Sequence, residues 1–516
     1  MLEFPAAFRG VGMRIPVYLA AAAVVASRCV AAIVPLPAEV QTVALPGFTV
    51  QSPGPSWYAQ TSFDGQSRDS SARGIFRAQF FASPAAKDNP LFSMLGLGHR
   101  STAVIDIAGA VLPIPSNDPK AVADALMDAM KKGIEHEAAT DTRIHYKSSD
   151  VGETSVNGAI CVRWEASSED RGVPHHEGDA YVLTMHRLMC SDPEFPAYTA
   201  RVDYSLRLEP GDHDFNPDAA GIAVVNSLKF DHLGYRVAVV PVGPMPQMLA
   251  ESDGAIWVAY GYQNGRVARI DPRTNAVAAT IPVGRVPVGI TADASGVWVA
   301  NAMDDTVQRL DPKTNAVAAT IHVPSKPEMI LSGFGSVWVT ANGAGSVVRI
   351  DPATGAVAEI AGTVAQPAGM AITGDAVYVT DYASGRILRI DPGSNAVTGA
   401  FEGALDSNYM IADGRFLWAN SQTREPAVVR IDPSAAGIHT RFTGVDYEPT
   451  GMAIWNGKLW VANWAGSSLS VIDPAGAPTN RVFFPVGPAP FGVLAARNSL
   501  WVSVLGLQGA LRLDPD

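Results

Sequence analysis

An Asp-Pro pair recurs through the second half of this chain, at Asp271, Asp311, Asp351, Asp391, Asp432, Asp473 and Asp514. The spacings are 40, 40, 40, 41, 41 and 41 residues. A bulky residue stands ahead of each pair, at Trp257, Trp298, Trp338, Tyr378, Leu417, Trp460 and Trp501. Self-similarity at about 40 residues means a unit that buries its apolar face only by stacking on its neighbours, in a solenoid or a propeller. Each unit reads as four short strands, which selects the propeller.

The unit beginning at Val283 shows the order of parts. VGRVPVGITAD leads into an innermost strand, Ser295-Gly296 turns the chain, and VWVAN is a second strand whose Trp298 fills the space between neighbouring blades. NAMDD is a loop, TVQRLD a third strand, PKTN a turn and AVAATIHV the outer strand. Pro312 presets φ at the first turn position and Asn315 tolerates a left-handed backbone, so Asp311 recurs as a turn residue rather than a catalytic one. The last unit stops after its third strand, at Leu513-Asp514-Pro515-Asp516, while the array opens at Tyr235 with an outer strand that has no blade of its own. Arg236 to Val242 is therefore expected to complete the last blade, which removes two open sheet edges. The expected fold is an all-β seven-bladed β-propeller over 235–516, closed by this N-terminal outer strand and preceded by an α+β domain over 40–232.

The units GVWVAN…VQRLDPKTNAVAATI and GSVWVTAN…VVRIDPATGAVAEI resemble the YVTN-type seven-bladed propellers and the related virginiamycin B (streptogramin) lyases, over about 236–516. The resemblance to the lyases implies elimination across an ester linkage with a divalent metal and a base built from His and Glu. The only histidines in the blades are His322 and His439, both on expected outer strands, and the repeats contain no Glu-x-His. The residues that would carry lyase chemistry are absent from the positions that match.

Ahead of the repeats, alternating patterns predict strands at 56–63, 74–82, 101–107, 154–165, 179–190 and 197–208. One helix is expected after the cap Asp118 and Pro119, with Val122, Leu126, Met130 and Ile134 on one stripe; a second is expected after Asn216 and Pro217. The closing strand and helix, ending in NSLKF, resemble small exported binding domains of the PsbP and MOG1 type. In PHHEGDA, His175, His176, Glu177 and Asp179 read as a solvated hairpin loop rather than a metal site, and Asp212 to Asp218 as helix capping rather than a calcium loop.

Residues 1–35 read as an export signal: Arg9 and Arg14 precede the apolar run Ile15 to Ala26, and the small residues Ala31 and Ala32 follow. Met13 is the expected true start. Arg28 interrupts the run, which favours cleavage over a membrane anchor, and its position before Cys29 argues against lipid attachment there. The expected location is periplasmic or secreted, with no membrane span after signal removal. Cys161 and Cys190 then remain, either as a disulfide or as two buried thiols. A net charge of −12 argues against nucleic-acid and anionic-membrane partners. Stacking of single-stranded nucleic acid on Trp and Tyr is a minor alternative.

Residues that fail to repeat mark the working face. In propellers the ligand face is lined by the loops leading into the innermost strands and those following the second strands. On these loops the candidate ligand-binding residues are Tyr260, Asn301, Asp304, Glu328, Asp381, Tyr382, Asn408, Tyr409, Asn420, Arg424, Asn463, Trp464 and Phe491. They suit a binding or scaffold module for a small molecule, peptide or protein. The enzymatic alternative is a metal-dependent lyase or lactonase-type hydrolase, with Glu328, Asp381 and Asp304 as oxygen ligands to a divalent cation; no other cofactor is expected. Deleting Tyr235 to Val242 is expected to lower the melting temperature of the whole ring in calorimetry. Unfolding at the wild-type temperature would contradict the closure.

Overall fold

The computed structural model describes residues 101–516 except 113, 115–117, 172–179, 213, 232–233, 361–364, 436 and 477–480, and ahead of them 33–35, 42–45, 48–54, 57–62 and 76–82. The expected leader up to Ala32 and the cluster His175, His176, Glu177 and Asp179 lie outside the described residues. Among the described residues no helix is long and apolar enough to cross a membrane.

Most of the chain is strand, and the second half forms a β-propeller. From Tyr235 onward the strands form seven antiparallel four-stranded sheets. Their innermost strands are Leu249–Ser252, Pro287–Asp293, Pro327–Gly333, Pro367–Thr373, Met410–Ala412, Pro449–Trp455 and Pro490–Ala496. Each lies beside the innermost strand of the next sheet, and the seventh lies beside the first. The outermost strand of the seventh sheet is Tyr235–Pro241, in register with Gly509–Pro515 from Tyr235 opposite Pro515 to Pro241 opposite Gly509.

The bulky slot gains a partner that sequence inspection passed over. Two residues before six of the seven Asp-Pro pairs stands an Arg, opposite the slot: Trp257 faces Arg269, Trp298 faces Arg309, Trp338 faces Arg349 and Trp501 faces Arg512. The guanidinium lies over the indole, 5.1 Å from its centroid at Arg349 and 5.7 Å at Arg309. In four sheets it then donates to the Asp-Pro carbonyl of the following sheet, three times as Arg309 Nη1 to Pro352 O at 2.9 Å, Arg349 to Pro392 O at 2.6 Å and Arg430 to Pro474 O at 2.9 Å. Arg512 closes the circle onto Pro272 O and Asn275 Oδ1 of the first sheet. This register corrects one assignment. In the fifth sheet the residue opposite Arg430 is Trp418, not Leu417, because that sheet's connections differ in length.

The N-terminal unit is built on an eight-stranded sheet in the order Ile33–Pro35, Tyr58–Ser62, Phe76–Ala82, Thr102–Val111, Tyr198–Leu208, Ala180–Ser191, Ala159–Arg171, Ile144–Val156. The predicted strand 154–165 is in fact a hairpin. Asn157 and Gly158, both at positive φ, turn the chain between two 13-residue strands, and Asn-Gly is a strong signal for such a turn. The edge strand Ile144–Val156 was hidden by its exposed, polar sequence. Helix Pro119–Thr140 starts at Asp118, whose side chain accepts from Ala121 N, and packs Val122, Leu126 and Met130 on Val162 and Trp164. The second helix begins at Asp218, later than expected, because Asn216 Oδ1 accepts from Asp218 N in a local turn rather than capping the helix. Cys161 and Cys190 form a disulfide between directly opposed residues of neighbouring strands.

One apolar cluster runs from Phe48, Ile105, Phe195 and Tyr204 of this unit through Val237 to Trp455, Trp460 and Phe484 of the sixth sheet. The N-terminal unit and the ring therefore share a core. Arg309→Met removes a cation–π contact and leaves Pro352 O without its charged donor. The expected cost is about 2 kcal/mol by chemical denaturation. Val471→Ala, in the Arg slot of the sixth sheet where no such clamp exists, is expected to cost less than half of that.

Candidate functional site

Two sets of loops are tied together on one face of the ring. In every sheet, the residue following the second strand donates its N–H to a carbonyl of the loop leading into the innermost strand. Examples are Ala302 N to Val286 O at 3.0 Å, Tyr382 N to Gln366 O at 2.9 Å and Trp464 N to Glu448 O at 2.9 Å. Six of the seven lead-in loops also place a non-glycine residue in the left-handed region: Met245, Val286, Lys326, Asp406, Glu448 and Ala489, with φ between 51° and 58°. Each such residue costs about 1–2 kcal/mol of backbone strain. The turn swings Met245, Lys326 and Glu448 outward, where they are exposed. Left-handed residues also recur in the turns of the opposite face, among them Asp253, Asn275, Asn315 and Phe334, so it is the exposed side chains rather than the strain that distinguish this face.

Below these loops the innermost strands bulge. Their register shifts between Pro287 and Ile290, Pro327 and Ile330, Pro367 and Met370, Pro449 and Met452, and Pro490 and Val493. Hydroxyls and one amide of the second strands accept the freed N–H groups: Thr340 from Met329 N at 3.0 Å, Thr380 from Gly369 N at 2.8 Å, Ser503 from Gly492 N at 2.8 Å, and Asn420 Oδ1 from Tyr409 N at 2.9 Å. Glycine follows the bulge where the next strand crowds in. A Cβ at Gly289 would lie 2.2 Å from Glu328 O, and one at Gly451 2.4 Å from Phe491 O. Where the slot is not glycine it holds Met248, Met329 or Tyr409, and in the seventh sheet Phe491 stands just before the slot glycine. Met329, Tyr409 and Phe491, from the third, fifth and seventh sheets, all pack against the cluster containing Met248 and Ala250 of the first sheet. They plug the channel. Desolvation there pushes the Tyr409 hydroxyl up to about 12.

The candidate residues fall into three groups. Asn301, Asn420 and Asn463 are fully buried and internal to the scaffold. Asn301 Nδ2 donates to Thr306 Oγ1 and Gln308 Oε1, and Asn463 Nδ2 to Ser468 and Ser470. Asn420 ties Asn408 Oδ1 to Pro449 O of the next sheet, at 2.6 Å each. Tyr260 is buried against Gly243, and Tyr409 and Phe491 belong to the plug. The face itself carries Asp304, Glu328, Tyr382, Arg424 and Trp464, with Asp381 just beneath it.

Each of the three proposed metal-binding carboxylates is engaged locally, on a different sheet. Asp304 pairs with Arg285 at 2.6 Å and also accepts from Arg285 N, contacts that hold its carboxyl below the usual range. Glu328 pairs with Lys326 at 2.8 Å. Asp381 accepts from Gln366 N at 3.0 Å and Ser384 Oγ at 2.7 Å. Among the described residues no three His, Cys, Asp or Glu side chains come together. His322 and His439 lie on the outer strands Ala316–His322 and Gly437–Thr443.

The residues that sequence reasoning missed are apolar and exposed. Met245 (40%), Met303 (47%), Leu405 (57%) and Tyr447 (53%) join Tyr262 (46%) on these same loops. Three of them immediately precede or lie within the left-handed turns, a position that inspection from the lead-in Pro onward leaves out.

No protein-family model matches the chain, and no curated protein does. The chain is similar to β-propeller structures. A catalytically inactive variant of virginiamycin B lyase from Staphylococcus aureus, solved with quinupristin, aligns at 16% identity over 54% of this chain and 99% of that one, with a TM-score of 0.47. Hydrazine synthase from Kuenenia stuttgartiensis aligns at 17% identity over 53% and 97%, TM-score 0.47. The β-propeller domain of Cps50 (Swd1) from Myceliophteria thermophila aligns at 12% over 54% and 98%, TM-score 0.45. No chemistry of this chain follows from likeness at this level.

Tyr409→Ala unplugs the channel and is expected to cost about 3 kcal/mol in denaturant titrations. The fold favours the neutral phenol, so the contribution of the hydroxyl is complete below pH 10 and is lost as pH rises toward 12. Tyr409→Phe is expected to keep the plug and to flatten the stability profile over that interval relative to wild type.

Proposed function

We propose that the chain is an exported binding or scaffold protein, in which the seven sheets are the blades of a closed propeller and the partner is held over the channel mouth. The carrying observation is the distribution of exposed large apolar side chains. Among the described residues nine are of this kind, and five of them (Met245, Tyr262, Met303, Leu405 and Tyr447) belong to the loops of this one face. Scattered singly they would need no explanation; gathered on one rim they suit an interaction surface. The plug of Met248, Met329, Tyr409 and Phe491 favours a ligand lying across the mouth over one inserted into the channel.

Export is supported by the leader pattern and by the disulfide, which suits an oxidising compartment. Ile33–Pro35 pairs with Tyr58–Gln60, so a cleavage that spares this strand falls no later than Ala32. In this reading the N-terminal unit supplies a second contact surface.

The test is recovery of partners on the immobilised protein from the secreted fraction of the producing cell, quantified by mass spectrometry. The variant Tyr262→Ser/Met303→Ser/Tyr447→Ser is expected to change stability by no more than about 0.5 kcal/mol per site and to lose the partner. Equal recovery by the variant would overturn the rim reading. Elemental analysis of metal-replete protein separates the enzymatic alternative: stoichiometric metal that disappears in Glu328→Ala and Asp381→Ala would sink the pure-binder reading.

A further inference from the structure

Negative charge on the rim is unevenly compensated. Asp304 and Glu328 have basic partners, and Asp381 and Asp446 accept hydrogen bonds from Ser384 and Ser468. Asp406 and Glu448 differ. They occupy the left-handed turns leading into the fifth and sixth sheets, and their backbone carbonyls hold Gln422 N and Trp464 N. Their carboxylates have no ion pair or side-chain hydrogen bond among the described residues. Arg424, exposed on the loop of the fifth sheet, pairs with neither.

The two carboxylates act on a common neighbour. The Tyr382 hydroxyl, on the fourth sheet, is pushed up first by desolvation and then by Asp406 and Glu448. Backbone contacts place the two turns side by side: Gln422 donates its N–H to Asp406 O and its Nε2 to Pro449 O, next to Glu448, while Leu405 lies against Gly385, three residues from Tyr382. Exposed apolar residues adjoin both: Leu405 precedes Asp406 and lies against Gly385 of the fourth sheet, and Tyr447 precedes Glu448. A cation placed here meets two carboxylates and aromatic faces together, the combination that favours a guanidinium or ammonium. Across the plugged mouth, Met245, Tyr262 and Met303 of the first two sheets offer an apolar surface with no such charge.

We propose that the channel mouth takes a protein segment whose Lys or Arg side chain seats between Asp406, Glu448 and the tyrosines Tyr382 and Tyr447, while its apolar residues lie on Met245, Tyr262 and Met303. This rests on the rim-binding reading above and adds the partner's chemistry. The surface extends over sheets on both sides of the mouth, which suits a chain segment better than a lone amine.

The experiment uses the full chain and an array of synthetic peptides in three sets: apolar with Lys or Arg, apolar with Asp or Glu, and apolar with uncharged polar residues. Affinities of the tightest binders are then measured in solution. The cationic set is expected to bind best, with affinity that falls as salt rises. Asp406→Asn/Glu448→Gln is expected to weaken it about tenfold. Acetylating the peptide lysines is expected to do the same on the unaltered protein, which covers the case of a variant that folds poorly. Tyr262→Ser/Met303→Ser is expected to weaken all peptides that bind. If uncharged or acidic peptides bind as tightly, or if acetylation and the charge variant leave affinity intact while the apolar variant removes it, the cation is overturned and the rim reading stands. If no set binds, or if neither variant has any effect, both fall.

Discussion

An arginine laid on a tryptophan face, with one N–H committed to the next sheet's backbone, is the contact on which the ring depends. A sheet can bury one face against its neighbour by apolar packing alone, but such packing is indifferent to small rotations. The guanidinium fixes the rotation because its planar fork must satisfy an indole and a carbonyl at once. Three sheets depart from the pattern: in the first, Arg269 covers Trp257 without a bond, among the described residues, to the next sheet's carbonyl. In the fourth, Arg389 turns to Asp375 and Thr398 within its own sheet. In the sixth, Val471 stands where the Arg would be, and Trp460 is instead enclosed by Tyr235, Trp455 and Phe484, with Tyr235 meeting it edge-on at 5.4 Å. Tyr235 opens the closing strand. The sheet that replaces the arginine altogether is the one against which the ends of the ring are joined.

This arrangement divides the labour between the two faces. The Arg clamps reach the Asp-Pro turns, so one face is occupied by structure and its residues repeat. The opposite face carries the loops after the second strands, whose backbone is held by the recurring hydrogen bond to the lead-in loop. With the backbone fixed by itself, the side chains there are free to differ. The channel between is closed for a steric reason. Innermost strands approach so closely that Gly289 and Gly451 admit no Cβ, and the few larger residues at that slot have only the channel to enter.

Those facts explain what could be read from the sequence and what could not. The repeat period, the Asp-Pro turn and the unpaired strand at Tyr235 are local patterns with one geometric meaning, and they lead directly to the propeller. Phase within a strand is harder. Leu417 and Trp418 are both bulky and adjacent, and only pairing with Arg430 decides which faces the next sheet. The same one-residue ambiguity made Asn420 look like an equivalent of Asn301, when it plays the role of Thr340 and Thr380 in holding a bulge. Polar identity also misled. Asn301 and Asn463 differ from the rest of the repeat, yet both are spent on their own sheet, whereas Asp406 and Glu448 escaped notice because they stand two residues ahead of Asn408 and Thr450, the lead-in positions compared.

The N-terminal unit bears on which part of the mouth is open. Ile114 of that unit lines a cleft with Val242, Gly243 and Gly506 to Gln508, the rim loops where the seventh sheet meets the first. Access to the mouth is therefore bounded on that side. Leu405, Asp406, Tyr447 and Glu448 lie on the fifth and sixth sheets and Met303 on the second, so the charged and apolar arcs flank the part of the rim left clear of this contact. A segment crossing the mouth from one arc to the other passes over Tyr409 and Phe491. The residues that plug the channel would then form the floor of the binding surface, which ties the packing of the ring to the shape presented to a partner.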